Sequence, residues 1–178
     1  MVVTLVVFAV AAWLVWGDRF PAASTSDVRA DGDSGRRPGS AMMIADFGGG
    51  QDDYGYLRTF DDVDKLGFLS PEETQLFRAA RPGPARILVN PTLPEGRLIV
   101  VVTQVRDRET ARSAAAALND LEIAGGFTRQ APLVLTHPSA ARIHYHHNDL
   151  LVRMELTGPP DGFQPLLDRQ LAVLSADD

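Results

Sequence analysis

The chain has 178 residues, 45% of them hydrophobic and 22% charged, with a formal net charge of −6 and no cysteine. That length and balance fit one globular domain with attachments, and the acidic charge argues against nucleic acid, whose binding proteins present a basic face. The absence of cysteine removes disulfides, thiolate catalysis, iron–sulfur clusters and cysteine-type zinc sites, while Lys65 as the single lysine points to the arginine bias of a GC-rich genome.

Residues 1–17, "MVVTLVVFAVAAWLVWG", carry no charged side chain. A spanning helix needs ~20 apolar residues, with a lower limit of ~17. The run therefore reads as a single N-terminal transmembrane helix, with Val2, Leu5 and Phe8 in the apolar stretch and Trp13 and Trp16 where ring side chains favour the headgroup layer. The alternative is a cleaved signal peptide with small residues at 22–24 as its cleavage site, but the basic leader is missing and Asp18 and Arg19 intervene. The arginines at 19, 29, 36 and 37 would keep the remainder in the cytoplasm under a literal positive-inside rule. A short anchor on a tether favours an extracytoplasmic domain, and that orientation is expected. Residues 18–40 are small, polar and rich in breakers, without apolar period, and read as a flexible linker. Twenty such residues reach roughly 25 Å.

Residues 41–84 read as a helical or irregular lead-in. "MMIADF" suggests a first short strand, and "GGG" lacks the Lys-Ser/Thr of a phosphate loop. Asp46, Asp52, Asp53, Asp61, Asp62 and Asp64 crowd one stretch without the alternating oxygen donors and closing glutamate of a calcium loop, so they read as a solvated acidic surface. Two helix starts follow. Thr59 caps with Asp62 three residues on; Ser70 caps, Pro71 takes the first helical position, and Glu73 completes a capping box for a helix over about 71–80.

From residue 85 to 178 the order strand–strand–helix occurs twice. "ARILVNPTLPEGRLIVVVTQV" reads as a hairpin, and "DRETARSAAAALNDLEIAGG" as a helix capped by Asp107, with Ala111, Ala114, Ala115, Leu118 and Leu121 as its apolar stripe. "FTRQAPLVLTHPSA" reads as a loop, "ARIHYHHNDLLVRMELTG" as a second hairpin, and residues 161–178 as a closing helix. The expected fold is α+β: a four-stranded antiparallel sheet with two helices on one face, of the ferredoxin-like or α+β-barrel type. The strand at 98–102 is apolar on both sides, so its second face should be covered as well, by residues 41–80 or by a second copy.

Three of the four histidines lie in the second hairpin. With a turn at Asn148-Asp149, Tyr145–Val152 and Ile143–Met154 pair on an apolar face, and His146–Leu151, His144–Arg153 and Arg142–Glu155 on a polar one. His144 and His146 at i, i+2 invite a metal, but Arg153 opposite would repel a cation and no further ligand has a fixed place nearby. No G-x-S-x-G accompanies a histidine. No catalytic, cofactor or metal residue is therefore assigned. The candidate ligand or interaction face is His144, His146, Arg142 and Arg153, where imidazoles beside arginines can bind anions or change charge.

The run "VRDRETARSAAAAL" after a strand, followed by a hairpin and a last amphipathic helix, resembles small envelope proteins of actinobacteria in general form. That resemblance covers about half the chain and implies a place in the envelope, with no active-site residue. The expected function is a membrane-tethered, non-enzymatic accessory or interaction protein, a subunit or assembly factor of a membrane complex or transporter. Its expected partners are the lipid bilayer and either an integral membrane protein or a second copy. The alternative is a secreted or tethered ligand-binding or sensor domain.

Overall fold

The computed structural model describes residues 42–177. The anchor expected over 1–17, including Val2, Leu5, Phe8, Trp13 and Trp16, and the linker over 18–40 lie outside the described residues. Among those described, no helix is long and apolar enough to cross a membrane.

The lead-in carries two short helices, α1 (Phe60–Asp64) and α2 (Pro71–Ala79). Both start where side chains satisfy the free N–H groups of a first turn. The Thr59 hydroxyl accepts from the Asp62 N–H, and Ser70 and Glu73 form the reciprocal capping box. The hairpin of β1 (Ala85–Leu93) and β2 (Gly96–Gln104) follows, then α3 (Arg108–Ala124), whose first turn donates Thr110 N–H to the Asp107 carboxylate at 2.8 Å. Two short strands, β3 (Thr128–Arg129) and β4 (Leu135–His137), precede the second hairpin, β5 (Ala140–His147) and β6 (Leu150–Thr157). A 3-10 turn at Pro160–Gly162 leads into α4 (Phe163–Val173). The second hairpin has the register read from its sequence: His147 pairs with Leu150, His144 with Arg153 and Arg142 with Glu155, around Asn148 at φ +51°.

The expected four-stranded sheet with both helices on one face, ferredoxin-like or barrel-like, is wrong. The sheet has six antiparallel strands in the order β1-β2-β6-β5-β4-β3. The extra strands come from the stretch taken as a loop, where Thr128 and Arg129 pair with Thr136 and Leu135. Strands of two and three residues are too short for alternation to show. The helices also lie on opposite faces. Leu98, Val100 and Val102 of β2 share a core with Phe163, Leu166 and Leu167 of α4. Ile99 and Val101, pointing the other way, share one with Phe60 of α1, Phe77 of α2 and Leu118 of α3. A rotation carrying one hairpin onto its antiparallel neighbour within a sheet would keep both following helices on one face. The two strand–strand–helix units are therefore not spatial copies of each other.

Burial explains the two-sided cover. β6 is buried from Leu150 to Leu156, on both faces, and a strand in that position needs a layer above and below. Residues 42–47 complete the α4 side. The Gln170 side chain accepts from Ala45 N–H at 3.0 Å and donates to the Met43 carbonyl at 3.1 Å, which seats Phe47 in the core. On the other side the Phe60 and Phe77 rings stack with centroids 5.1 Å apart. Each such ring, fully buried, contributes about 1.5–3 kcal/mol by removal from water.

Candidate functional site

The polar set on the second hairpin lies on the α3 side of the sheet, with Leu151 in the same row. It is not an open surface. His144 is 1% exposed, His146 6%, and Arg153 has no exposure, because α2 and α3 cover them. The four sequence-designated residues divide. His144, Arg142 and Arg153 join one ionic cluster, and His146, whose ring Nε2 is buried without a hydrogen-bond partner, stands outside it. His147 stays at the hairpin end, its ring 3.0 Å from the Ser175 carbonyl, and His137 sits beside Phe127 with ring centroids 5.5 Å apart.

Three carboxylates complete the cluster. Glu73 arrives from the first turn of α2. Its Oε2 closes the capping box on Ser70 N–H at 2.8 Å, and its Oε1 accepts from Arg153 Nε at 2.6 Å. Glu155, two residues along β6 from Arg153, accepts from the Arg153 Nη2 at 2.5 Å and from the Thr157 hydroxyl at 2.9 Å. Glu122 arrives from the last turns of α3, with both oxygens 2.6–2.7 Å from Arg142 Nη1. The Arg142 guanidinium lies over the Phe127 ring, 5.0 Å from its centroid. Its Nε is 3.0 Å from Glu155 Oε2 but misaligned, a charge contact without a hydrogen bond.

The imidazole of His144 is fixed by α3. Asn119 Nδ2 donates to the His144 carbonyl at 3.0 Å, and Asn119 Oδ1 accepts from the His144 N–H at 3.3 Å. That pairing orients the amide, so the ring Nδ1, 3.2 Å from the same Oδ1, carries a proton. Nε2 is then the lone-pair nitrogen. It is buried without a hydrogen-bond partner and lies 3.8 Å from Glu73 Oε1. One donor atom from each of Glu73, Glu122 and His144 falls within 4.8 Å of the others.

The electrostatics follow from burial and charge pairing. Burial works against the Glu73 charge, but Arg153 and the Ser70 N–H outweigh it and hold the carboxyl well below the usual carboxylate range. Burial likewise opposes the Glu155 charge, and Arg153 and Arg142 overcome it. For Glu122, burial wins over Arg142 and the pKa rises. Burial pushes the His144 imidazole down to about 4, so at neutral pH the ring is uncharged. The cluster then holds three carboxylates against two guanidiniums, one negative charge in excess.

Sequence reasoning missed Glu73, Glu122 and Asn119. Glu73 was visible, but only as a helix cap; nothing local says that its second oxygen turns inward. Glu122 was legible in principle. Positions 111, 114, 115 and 118 form the buried stripe of α3, and 122 continues it one turn on, where Leu121 was placed instead. A glutamate there has to find a cation, and Arg142 is that cation. No family model, curated protein or solved structure matches this chain.

Proposed function

We propose that the chain is a membrane-tethered accessory protein of the bacterial cell envelope, non-catalytic, whose domain works by contact with an integral membrane partner. The observation that carries this reading is the uncharged apolar run of residues 1–17, closed by two tryptophans and followed by a breaker-rich stretch. Such a run favours lipid over water, and such a stretch lets the domain reach sideways. The buried geometry supports a role in contact. The two arginines that suggested chemistry are spent in ion pairs that tie α2 and α3 to the sheet.

The test is extraction. In the native membrane the full chain stays in the pellet through an alkaline carbonate wash, and crosslinking in mild detergent captures a membrane protein beside it. Recovery of the intact full chain in the aqueous wash would refute the tether. A crosslinked species of twice the chain mass, without another protein, would replace the heterologous partner by a second copy.

One observation favours a ligand-binding reading instead. A groove between α2 and α3 is lined by Leu76, Ala79, Ala80, Thr110 and Ala114, with Arg106 at its margin. Glu109 also lines it, so the groove is apolar with one charge of each sign and suits an amphiphile. A rise in melting midpoint with fatty acid, lost in Ala114→Trp, would support that reading over the first.

A further inference from the structure

The contact between His144 and Glu73 is an electrostatic contradiction as it stands. The Asn119 amide, pinned by two backbone bonds, forces the ring proton onto Nδ1. Nε2, on the far side of the ring, is buried without a hydrogen-bond partner 3.8 Å from Glu73 Oε1, and one donor atom each of Glu73, Glu122 and His144 lies within 4.8 Å of the others. An unpartnered imidazole nitrogen beside two carboxylates where water is excluded is a donor set with room for a cation, although each carboxylate already has a guanidinium on one side.

We propose that Glu73, Glu122 and His144 bind one divalent transition-metal ion, zinc or a neighbour of it, which pins α2 and α3 to β5. The donor set is one imidazole and two carboxylates, the mixed nitrogen–oxygen set that zinc accepts. The spacing suits it: ligands at roughly 2.0–2.2 Å from zinc stand roughly 3–4 Å from one another, and Nε2 and Oε1 are 3.8 Å apart. That separation is too long for a hydrogen bond from a protonated ring. Asn119 plays the part that outer partners of metal-bound histidines play, holding the other ring nitrogen protonated and the ring in place.

The two arginines do not fill the site, and their pairing with Glu73, Glu155 and Glu122 offsets the repulsion that Arg153, opposite His144, would exert on a cation. A carboxylate offers about four lone-pair positions. Glu73 uses one on Arg153 and one on Ser70, and Glu122 uses two on Arg142. Each keeps lone pairs for a metal, and the guanidiniums hold the carboxylates in position. The inference is independent of the membrane reading, since every residue in it belongs to the sheet domain.

The experiment uses the untagged full chain in mild detergent, stripped with chelator and titrated with zinc chloride, with magnesium as comparison. Expected are one zinc per chain by elemental analysis, a higher melting midpoint with zinc and none with magnesium, and cobalt bands of a nitrogen–oxygen site. His144→Gln abolishes binding; Asn119→Leu, which leaves the ligands, weakens it by about 10–100-fold; His147→Gln leaves it unchanged. Should His144→Gln fail to fold, the cobalt spectrum of the natural chain and the Asn119→Leu titration decide. A metal-free protein with no zinc response, and with His144 Nε2 protonated by nitrogen NMR at neutral pH, overturns the proposal: a proton then fills the gap. Equal zinc binding by His144→Gln overturns it too.

Discussion

Arg153→Met is the sharpest probe of the buried cluster. The guanidinium is wholly enclosed and donates to Glu73 and Glu155 at 2.6 and 2.5 Å. Methionine fills the space of the stem with little cavity, because its chain is unbranched and adaptable. What is lost is the compensation of two carboxylates. Breaking a buried pair by removing one partner costs about 3–5 kcal/mol. Here the lower end applies, since Glu73 keeps the Ser70 N–H and Glu155 keeps Thr157 and the nearby Arg142. The expected loss is therefore about 3 kcal/mol, against the 5–15 kcal/mol or so of a typical domain, and the variant still folds. Glu73→Gln alone, which leaves Arg153 with Glu155, costs about 2 kcal/mol. In the double variant each substitution removes the other's stranded partner, so its loss falls short of the sum by about 1–3 kcal/mol. The assay is urea denaturation followed by circular dichroism with chelator present. With a slope of about 2 kcal/mol per molar, Arg153→Met lowers the midpoint by about 1.5 M. A midpoint shift under about 0.3 M, or strict additivity in the double variant, refutes the claim that these charges hold α2 to the sheet.

Gly96 takes φ +132°, and a Cβ there would collide with the Thr157 carbonyl oxygen on β6; Gly96→Ala is expected to cost at least about 2 kcal/mol, read as a lowered urea midpoint. Phe77→Ala, which empties a fully buried site stacked on Phe60, is expected to cost about 3–5 kcal/mol by the same measurement. The Asp107 carboxyl is held at about 2, below its ordinary 3.8, by the Thr110 side chain and N–H and by Arg106. A lowered folded pKa means stability that is present above the unfolded value and lost as pH falls toward the folded one. Asp107→Asn keeps a cap but no titrating group, so the stability gap between the two chains should narrow or reverse between pH 4 and pH 2 or so; a gap independent of pH refutes the cap's charge as its source.

Local structure was legible in the sequence wherever it depends on neighbours along the chain. The caps at Thr59, Ser70 and Asp107 stand where they were read, because a capping bond spans three residues. The register of the second hairpin was equally legible, because a period of two leaves one alignment that keeps Ile143, Tyr145, Val152 and Met154 together. The double burial of β2 showed in its unbroken apolar run. What tertiary structure alone decided is which face each helix takes and what meets the polar row. Periodicity says that a face is buried, not which layer buries it, so the α4 side and the α3 side could not be told apart. Two- and three-residue strands at the sheet's edge leave no period at all. The polar row read as a ligand or interaction face because its partners are remote: Glu73 lies 80 residues from Arg153, and Glu122 lies 20 from Arg142. A buried charge declares itself only when the chain has brought its counter-charge to it, and that meeting is a property of the packed molecule.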